Sequence, residues 1–436
     1  MKRFFDLSLP LQLGILYILL IAVFFVSLSA SFLIPRELVE ENILESAKIL
    51  KAEGLRHFTQ FPADNDALQT DTRASYLKVR TALGHHDTRA IVNAMDGYSY
   101  ARYWHGYVVI LRPLFMFGTI ILVRYLEMFI LGILLCLVFS EIHKKIGLCA
   151  AVSFLVSLVA VYFYVVPLST QHAPNFIIML AACLFLLRHA ASLSDKNLAV
   201  FFFLIGMFTN FFDLLTTPLL TVGMPAAVLF SLELQAPQFG RSAPSVKRLI
   251  RFVFYWGVGY ALCWAAKWVL ATVVLKENII ADAISQAVYR TVGGANSEGG
   301  PQTDTNPFHV ILQNLRQLVP DEPPSVTAKS VYILAGTAFT AYVGYLWISR
   351  RKGGYRRVAF SQLAPFLLLA VSPFVWYSVL ANHSGLHDWF TYRIMALTIF
   401  SLLLFLFFGI HGAAKSGGKT GLDAVDSPLQ TEKKPI

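Results

Sequence analysis

Leu11-Gln-Leu-Gly-Ile-Leu-Tyr-Ile-Leu-Leu-Ile-Ala-Val-Phe-Phe-Val-Ser-Leu-Ser-Ala-Ser-Phe-Leu-Ile34 runs directly into Pro35-Arg-Glu-Leu-Val-Glu-Glu-Asn-Ile-Leu44. The first stretch exceeds the ~20 apolar residues that cross a hydrocarbon core. The second opens a polar segment, 35–105, that holds ten Asp or Glu before the chain turns apolar again. One span, a large acidic insertion and an apolar remainder together indicate a polytopic membrane protein with polar structure on one face. Because Ser27 to Ala30 is followed by further apolar residues, the first stretch reads as a retained signal-anchor rather than a cleaved signal.

The rest of the composition agrees. Of 436 residues, 56% are hydrophobic and 14% charged, which excludes the soluble classes. The expected fold is all-α, a polytopic transmembrane helix bundle of about ten spans with amphipathic surface helices in its external loops. The spans are expected near 11–34, 119–140, 147–166, 174–189, 197–212, 215–232, 252–274, 331–349, 358–379 and 394–412. Residues 1–413 then form a single transmembrane domain with external loops 35–105 and 276–330, and 414–436 a disordered tail. As one helix, 197–232 would measure ~54 Å at ~1.5 Å per residue, too long for a core of ~30 Å. It is therefore expected to fold back at Asp213 and Thr216-Thr217-Pro218, as two short spans or as a discontinuous or re-entrant pair.

Lys and Arg concentrate in alternate short loops, at Lys2-Arg3, Lys144-Lys145, Arg188 with Lys196, Arg241 to Arg251, and Arg350 to Arg357. By the positive-inside rule those loops and both termini are cytoplasmic, so segment 35–105 lies outside. The net charge of +10 restates this pattern and gives no warrant for nucleic-acid binding. Cys136, Cys149, Cys183 and Cys263 fall inside expected spans, where they read as packing residues rather than a disulfide framework or a metal site.

Within the first loop, 37–57 has helical periodicity and reads as a continuation of the first span. Phe61-Pro-Ala-Asp64-Asn-Asp66 breaks it, leaving two carboxylates two residues apart on a turn. Such a pair serves as a general base with an orienting partner, holds a divalent cation, or is a solvated turn and nothing more. Met95-Asp-Gly-Tyr-Ser-Tyr-Ala-Arg-Tyr-Trp-His-Gly-Tyr107 places four Tyr and a Trp at headgroup depth, interleaved with Asp96, Arg102 and His105 and followed by Arg112. Carboxylate, guanidinium and imidazole at the water interface suit a lipid phosphate, and an interfacial anchor with snorkelling arginines is the plainer reading. Arg124 and Glu127, at i,i+3, are spaced to pair.

Lys267 is expected in the outer third of its span, either facing a lipid phosphate or snorkelling beside Trp264 and Trp268. In loop 276–330, Ile279, Ile280, Ala283, Ile284, Ala287 and Val288 line one helical face, and Asn306-Pro307 is a cap and first-turn pair for a second helix. These read as a lid over a cleft or a rim around one. The last external loop, Asn382-His-Ser-Gly-Leu-His-Asp-Trp-Phe-Thr-Tyr-Arg393, gathers His383, His387 and Arg393 to bind sugar hydroxyls or phosphate oxygens. The two histidines alone make no metal site.

A short N-terminus, one span, a large acidic external loop and about nine further spans with surface helices resemble the GT-C superfamily of integral-membrane glycosyltransferases, which includes protein O-mannosyltransferases. The Tyr-Ala-Arg-Tyr-Trp-His-Gly-Tyr and Phe-Thr-Tyr-Arg stretches look like signatures of a bacterial subgroup. The resemblance implies an extracytoplasmic transferase in the plasma membrane that moves a sugar from a polyprenyl-(di)phosphate carrier to an envelope glycan, lipid or protein acceptor. Its catalytic carboxylate would come from Asp64, Asp66 or Asp96, with Glu37, Glu40 and Glu41 the alternatives close behind the span. Arg102, His105, Arg112, Lys267, His383, His387 and Arg393 would bind substrate, and a divalent cation, Mg or Mn, is the one cofactor implied. Two other readings remain open on the residues: a transporter or flippase of a lipid-linked saccharide, and an envelope polymer ligase or polymerase.

Overall fold

The protein was analysed as a computed structural model that describes residues 6–53, 79, 81–85, 88–170, 172–235, 243–293, 305–318, 326–351 and 355–414. The turn bearing Asp64 and Asp66 and the tail 415–436 lie outside the described residues. Among the described residues the fold is all-α apart from one antiparallel pair, β1 (Tyr355–Arg356) with β2 (Ala413–Ala414).

The N-terminal part runs α1 (Leu9–Ser31), α2 (Glu40–Glu53), α3 (Ala90–Asp96), α4 (Val108–Phe115), α5 (Ile120–Lys145) and α6 (Leu148–Val159). Then follow α7 (Ala173–His189), α8 (Asp195–Phe212), α9 (Leu219–Gln235), α10 (Val246–Leu275), α11 (Ile279–Val292) and α12 (Pro307–Arg316). The chain closes with α13 (Val326–Arg351), α14 (Phe360–Val379), α15 (Ala381–Leu386), α16 (Asp388–Thr391) and α17 (Met395–Leu406). Among the described residues, six segments are long and apolar enough to cross a membrane: α1, α5, Ala173–Ser192, α10, α14 and Asp388–His411.

The other expected spans are helical but do not meet that measure. The 147–166 segment stops as an α-helix at Val159, because Tyr162 takes a left-handed φ of 57° and Phe163–Leu168 continues as a 3-10 turn through Pro167. The 197–232 segment breaks where expected. The Asp213 carboxylate accepts the Thr216 N–H at 2.9 Å, Leu215 sits at φ 65°, and the chain restarts as α9. With almost no exposed face, α9 occupies the core, its buried Glu233 matched by Arg248.

α2 is not a continuation of α1. The chain leaves the helix at Ser31, turns through 3-10 residues Arg36–Leu38 and starts again at Glu40. Arg124 pairs with Glu53 rather than Glu127, two 2.7 Å bonds that tie α2 to α5. Asn306 caps α12 as its sequence suggests, accepting from the Phe308 N–H at 3.0 Å with Pro307 in the first turn.

Helices α8 and α10 pack backbone to backbone, and two glycines make this possible. A Cβ at Gly206 would lie 2.0 Å from the Trp256 carbonyl oxygen, and one at Gly259 2.1 Å from that of Phe203. Small residues at facing positions let backbones meet where hydrocarbon surroundings offer no hydrophobic drive. Phe202 stacks on Phe252 beside this crossing at 4.8 Å.

Candidate functional site

The aromatic segment after α3 is held in a conformation that most residues avoid. Gly97, Tyr98 and Ser99 have φ of 58°, 60° and 64°, and His105 has φ of 56°. Asp96 stabilises the turn by accepting the Ser99 N–H at 2.7 Å, and its carboxylate also meets His85 Nε2 at 3.0 Å. Glycine is required at 97 on two counts, since a Cβ there would also lie 2.3 Å from the His105 ring.

α10 grips this segment. The indole N–H groups of Trp264 and Trp268 both donate to the Arg102 carbonyl, at 2.9 and 3.1 Å, and Trp104 donates to that of Cys263 at 2.9 Å. Lys267 is fully buried and donates to the Met95 carbonyl at 2.7 Å and the Ala94 carbonyl at 3.4 Å. It thus closes the C-terminal end of α3, where a cation complements the helix dipole, and neither snorkels nor opens to lipid. His105 donates from Nε2 to the Tyr100 carbonyl and accepts at Nδ1 from the Tyr107 hydroxyl, at 2.9 and 2.8 Å; the carbonyl can only accept, which fixes this tautomer.

α11 completes the site. Asp282 bonds Arg102 at 2.7 Å, and Arg290 donates to the Tyr100 hydroxyl and to His383 Nδ1, both at 3.0 Å. His383 Nε2 donates in turn to the Leu215 carbonyl at the α8–α9 break, at 2.9 Å. Burial, reinforced by Arg290, holds His383 neutral far below the usual histidine range, and in the same way lowers His387, stacked on Phe390, to about 4. Burial alone would lower the Arg102 guanidinium, but the bond to Asp282 more than offsets it and Arg102 is firmly cationic.

No family model, curated protein or solved structure matches this chain.

Between α10, α11 and the aromatic segment lies a narrow cleft lined by Arg102, Tyr103, Trp264, Trp268, Ala283, Gln286, Ala287 and Arg290. Two buried polar atoms at this lining, Gln286 Nε2 and Tyr103 Oη, have no hydrogen-bond partner. Two guanidiniums, an amide N–H and a phenol line the cleft beside one carboxylate, Asp282, so it is rich in donors, and its volume of about 20 Å³ holds a water-sized group. On α4, α5 and α7 an apolar groove of about 290 Å³ is lined by Tyr107, Leu114, Leu126, Ile130, Ile177 and others, with Glu127 among them. Tyr107, bonded to His105, belongs to the same aromatic segment as the cleft.

The structure therefore ties Arg102 and His383 to one helix, α11, through Asp282 and Arg290 respectively, with His105 bonded to the Tyr100 backbone. Asp96 stands at the other end of the same segment. His387 packs on the His383 ring, 4.9 Å between centroids. Arg112 is elsewhere, donating to the carbonyls of Ser31, Ile34, Ala82 and Leu83, and burial with Arg36 nearby lowers it to about 10. Arg393 is buried against Tyr392, His172 and the Trp389 carbonyl. Among the described residues, no three His, Cys, Asp or Glu side chains converge to hold a metal ion.

Arg290, Gln286, Asp282, Tyr100 and Tyr103 were not singled out from the sequence. A signal for three of them is present: Asp282, Gln286 and Arg290 recur at i, i+4 and i+8, along the edge of the same helix that holds Ile279 and Ala283 and away from Ile280, Ile284 and Val288.

Proposed function

We propose that the protein is a GT-C-type membrane glycosyltransferase that moves a sugar from a polyprenyl-(di)phosphate carrier to a cell-envelope acceptor. In this reading the remaining apolar helices also cross, for about ten spans in a bacterial plasma membrane with both termini cytoplasmic. The observation that carries the reading is the donor-rich cleft at Arg102 and Arg290, lined by Tyr103, Trp264 and Trp268, aromatic side chains of the kind that collect at headgroup depth.

The carrier phosphate would lie against the two guanidiniums and the Gln286 amide. As the anomeric C–O bond breaks, negative charge grows on the phosphate oxygen, and donors already in place stabilise it without reorganisation. A first-loop carboxylate, Asp64, Asp66 or Asp96, takes the proton of the acceptor hydroxyl as its oxygen bonds to the anomeric carbon.

The test is transfer from a polyprenyl-phosphate sugar by purified protein in liposomes. Arg290→Gln is expected to abolish turnover while the protein stays folded, and Asp64→Asn, Asp66→Asn and Asp96→Asn, made singly, should identify one essential carboxylate. Full turnover in Arg290→Gln would sink the reading.

A further inference from the structure

α11 has apolar side chains on both faces. Its inward face carries Asp282, Gln286 and Arg290, which reach Arg102, the cleft, and Tyr100 with His383, beside the buried Ile279 and Ala283. Its outward face presents Ile280, Ile284 and Val288, 37%, 56% and 54% exposed. A helix resting on a protein in water has its apolar stripe on the core and polar residues outside.

The depth of α11 follows from its partners. α10 has 30 residues, about 45 Å at 1.5 Å per residue, so it outruns a core of about 30 Å. α11 shares the cleft with Trp264 and Trp268, not with the end of α10 at Leu275. Those tryptophans lie roughly 10 to 16 Å below that end by the same rise. The middle of α11 is thus level with the aromatic belt, and this stretch of α10 leaves Val269 and Val273 exposed at 52% and 70%. Both helices thus expose apolar side chains on the stretch near the cleft.

We propose that α11 is sunk in the outer leaflet, with Ile280, Ile284 and Val288 among phospholipid acyl chains, so that the cleft it walls opens sideways into that leaflet. The phosphate of a lipid then reaches Arg102 and Arg290 without leaving the bilayer. The position of α11 stands independently, whereas the lateral route rests on the proposed function.

Nitroxide labels test the position without any need for turnover. Ile280→Cys, Ile284→Cys and Val288→Cys would be labelled in a Cys136→Ala/Cys149→Ala background, in liposomes of phosphatidylcholine and phosphatidylglycerol. At all three sites oxygen, which concentrates in hydrocarbon, should relax the label more than a water-soluble nickel chelate, with the order reversed at Lys276→Cys. Stronger relaxation by nickel at the three sites overturns the proposal, as does dipolar broadening that vanishes on dilution with unlabelled protein, which would mean that a second copy covers the stripe. For the route, Ile284→Asp should raise KM for a long-chain carrier several-fold with kcat held. An unchanged KM overturns lateral entry, while absence of turnover in the parent protein strikes the proposed function and leaves the label result intact.

Discussion

The two ends of α10 each bury an arginine among polar partners, and the two clusters are built on opposite principles. Near the start of the helix, Arg248 bonds Glu233 through both nitrogens at 2.6 and 2.9 Å and Asp195 at 2.8 Å. At the other end, Arg290 meets only neutral acceptors, the Tyr100 hydroxyl and His383. A cation already matched by carboxylates has little to offer a ligand, and its work is to join α8, α9 and α10. A cation held by neutral groups keeps its charge uncompensated and is poised for an anion from outside.

The largest expected effect breaks the first cluster. Arg248→Met leaves Glu233 buried and uncompensated, which costs on the order of 3–5 kcal/mol. Thermal unfolding in detergent should show a large fall in midpoint, and Glu233→Gln added to Arg248→Met should recover part of it. A midpoint equal to the parent's would end the contrast drawn between the clusters.

Next comes the second cluster, with the opposite signature. Arg290→Gln should lower transfer by ~10²-fold or more, as removal of a donor aimed at developing charge does, yet cost only about 1 kcal/mol of stability because its partners are neutral. The ratio of the two losses, measured on one preparation, is the sharpest form of the comparison.

The acid limb of stability should also map to this end of α10. His383 and His387 stay neutral in the fold, while unfolded histidines titrate near 6.5. Below that pH, and for His387 down to about 4, the unfolded chain binds more protons. Stability therefore falls as pH falls, by up to about 1.4 kcal/mol per pH unit for each group. His387→Phe, which keeps the stack on Phe390, should flatten the slope measured by denaturation between pH 6.5 and 5. An unaltered slope would show that His387 does not contribute.

The smallest effect refines the cleft. Gln286→Met removes the one amide donor that lacks a partner, and should weaken inhibition by a soluble polyprenyl-phosphate analogue by about 1 kcal/mol, several-fold, with the thermal midpoint unchanged or raised. Unweakened inhibition would mean that this amide does not face the anion.

Much of the scaffold was legible from residue order. The apolar stretches are helices, the fold-back at Asp213 falls on the polar residues that interrupt its run, and Asn306-Pro307 starts a helix as capping chemistry requires. Length was less legible: the 147–166 helix stops at Val159, because the left-handed turn that follows at Tyr162 is not signalled by any glycine. The site was half legible, since Arg102 and His383 stood out in polar loops whereas Arg290 sat in a helix read for its apolar face.

What the sequence determined by itself is the kind of solvent this chain needs and which face of each helix is apolar, because periodicity and local hydrogen bonding are properties of neighbours along the chain. What only tertiary structure decided is the meaning of each charge. Arg102 finds Asp282 across 180 positions, Lys267 finds the Met95 carbonyl across 172, and Arg112 finds four carbonyls instead of a ligand. A charged side chain is structural or available according to whether the fold brings it a full set of partners, and no local pattern encodes that.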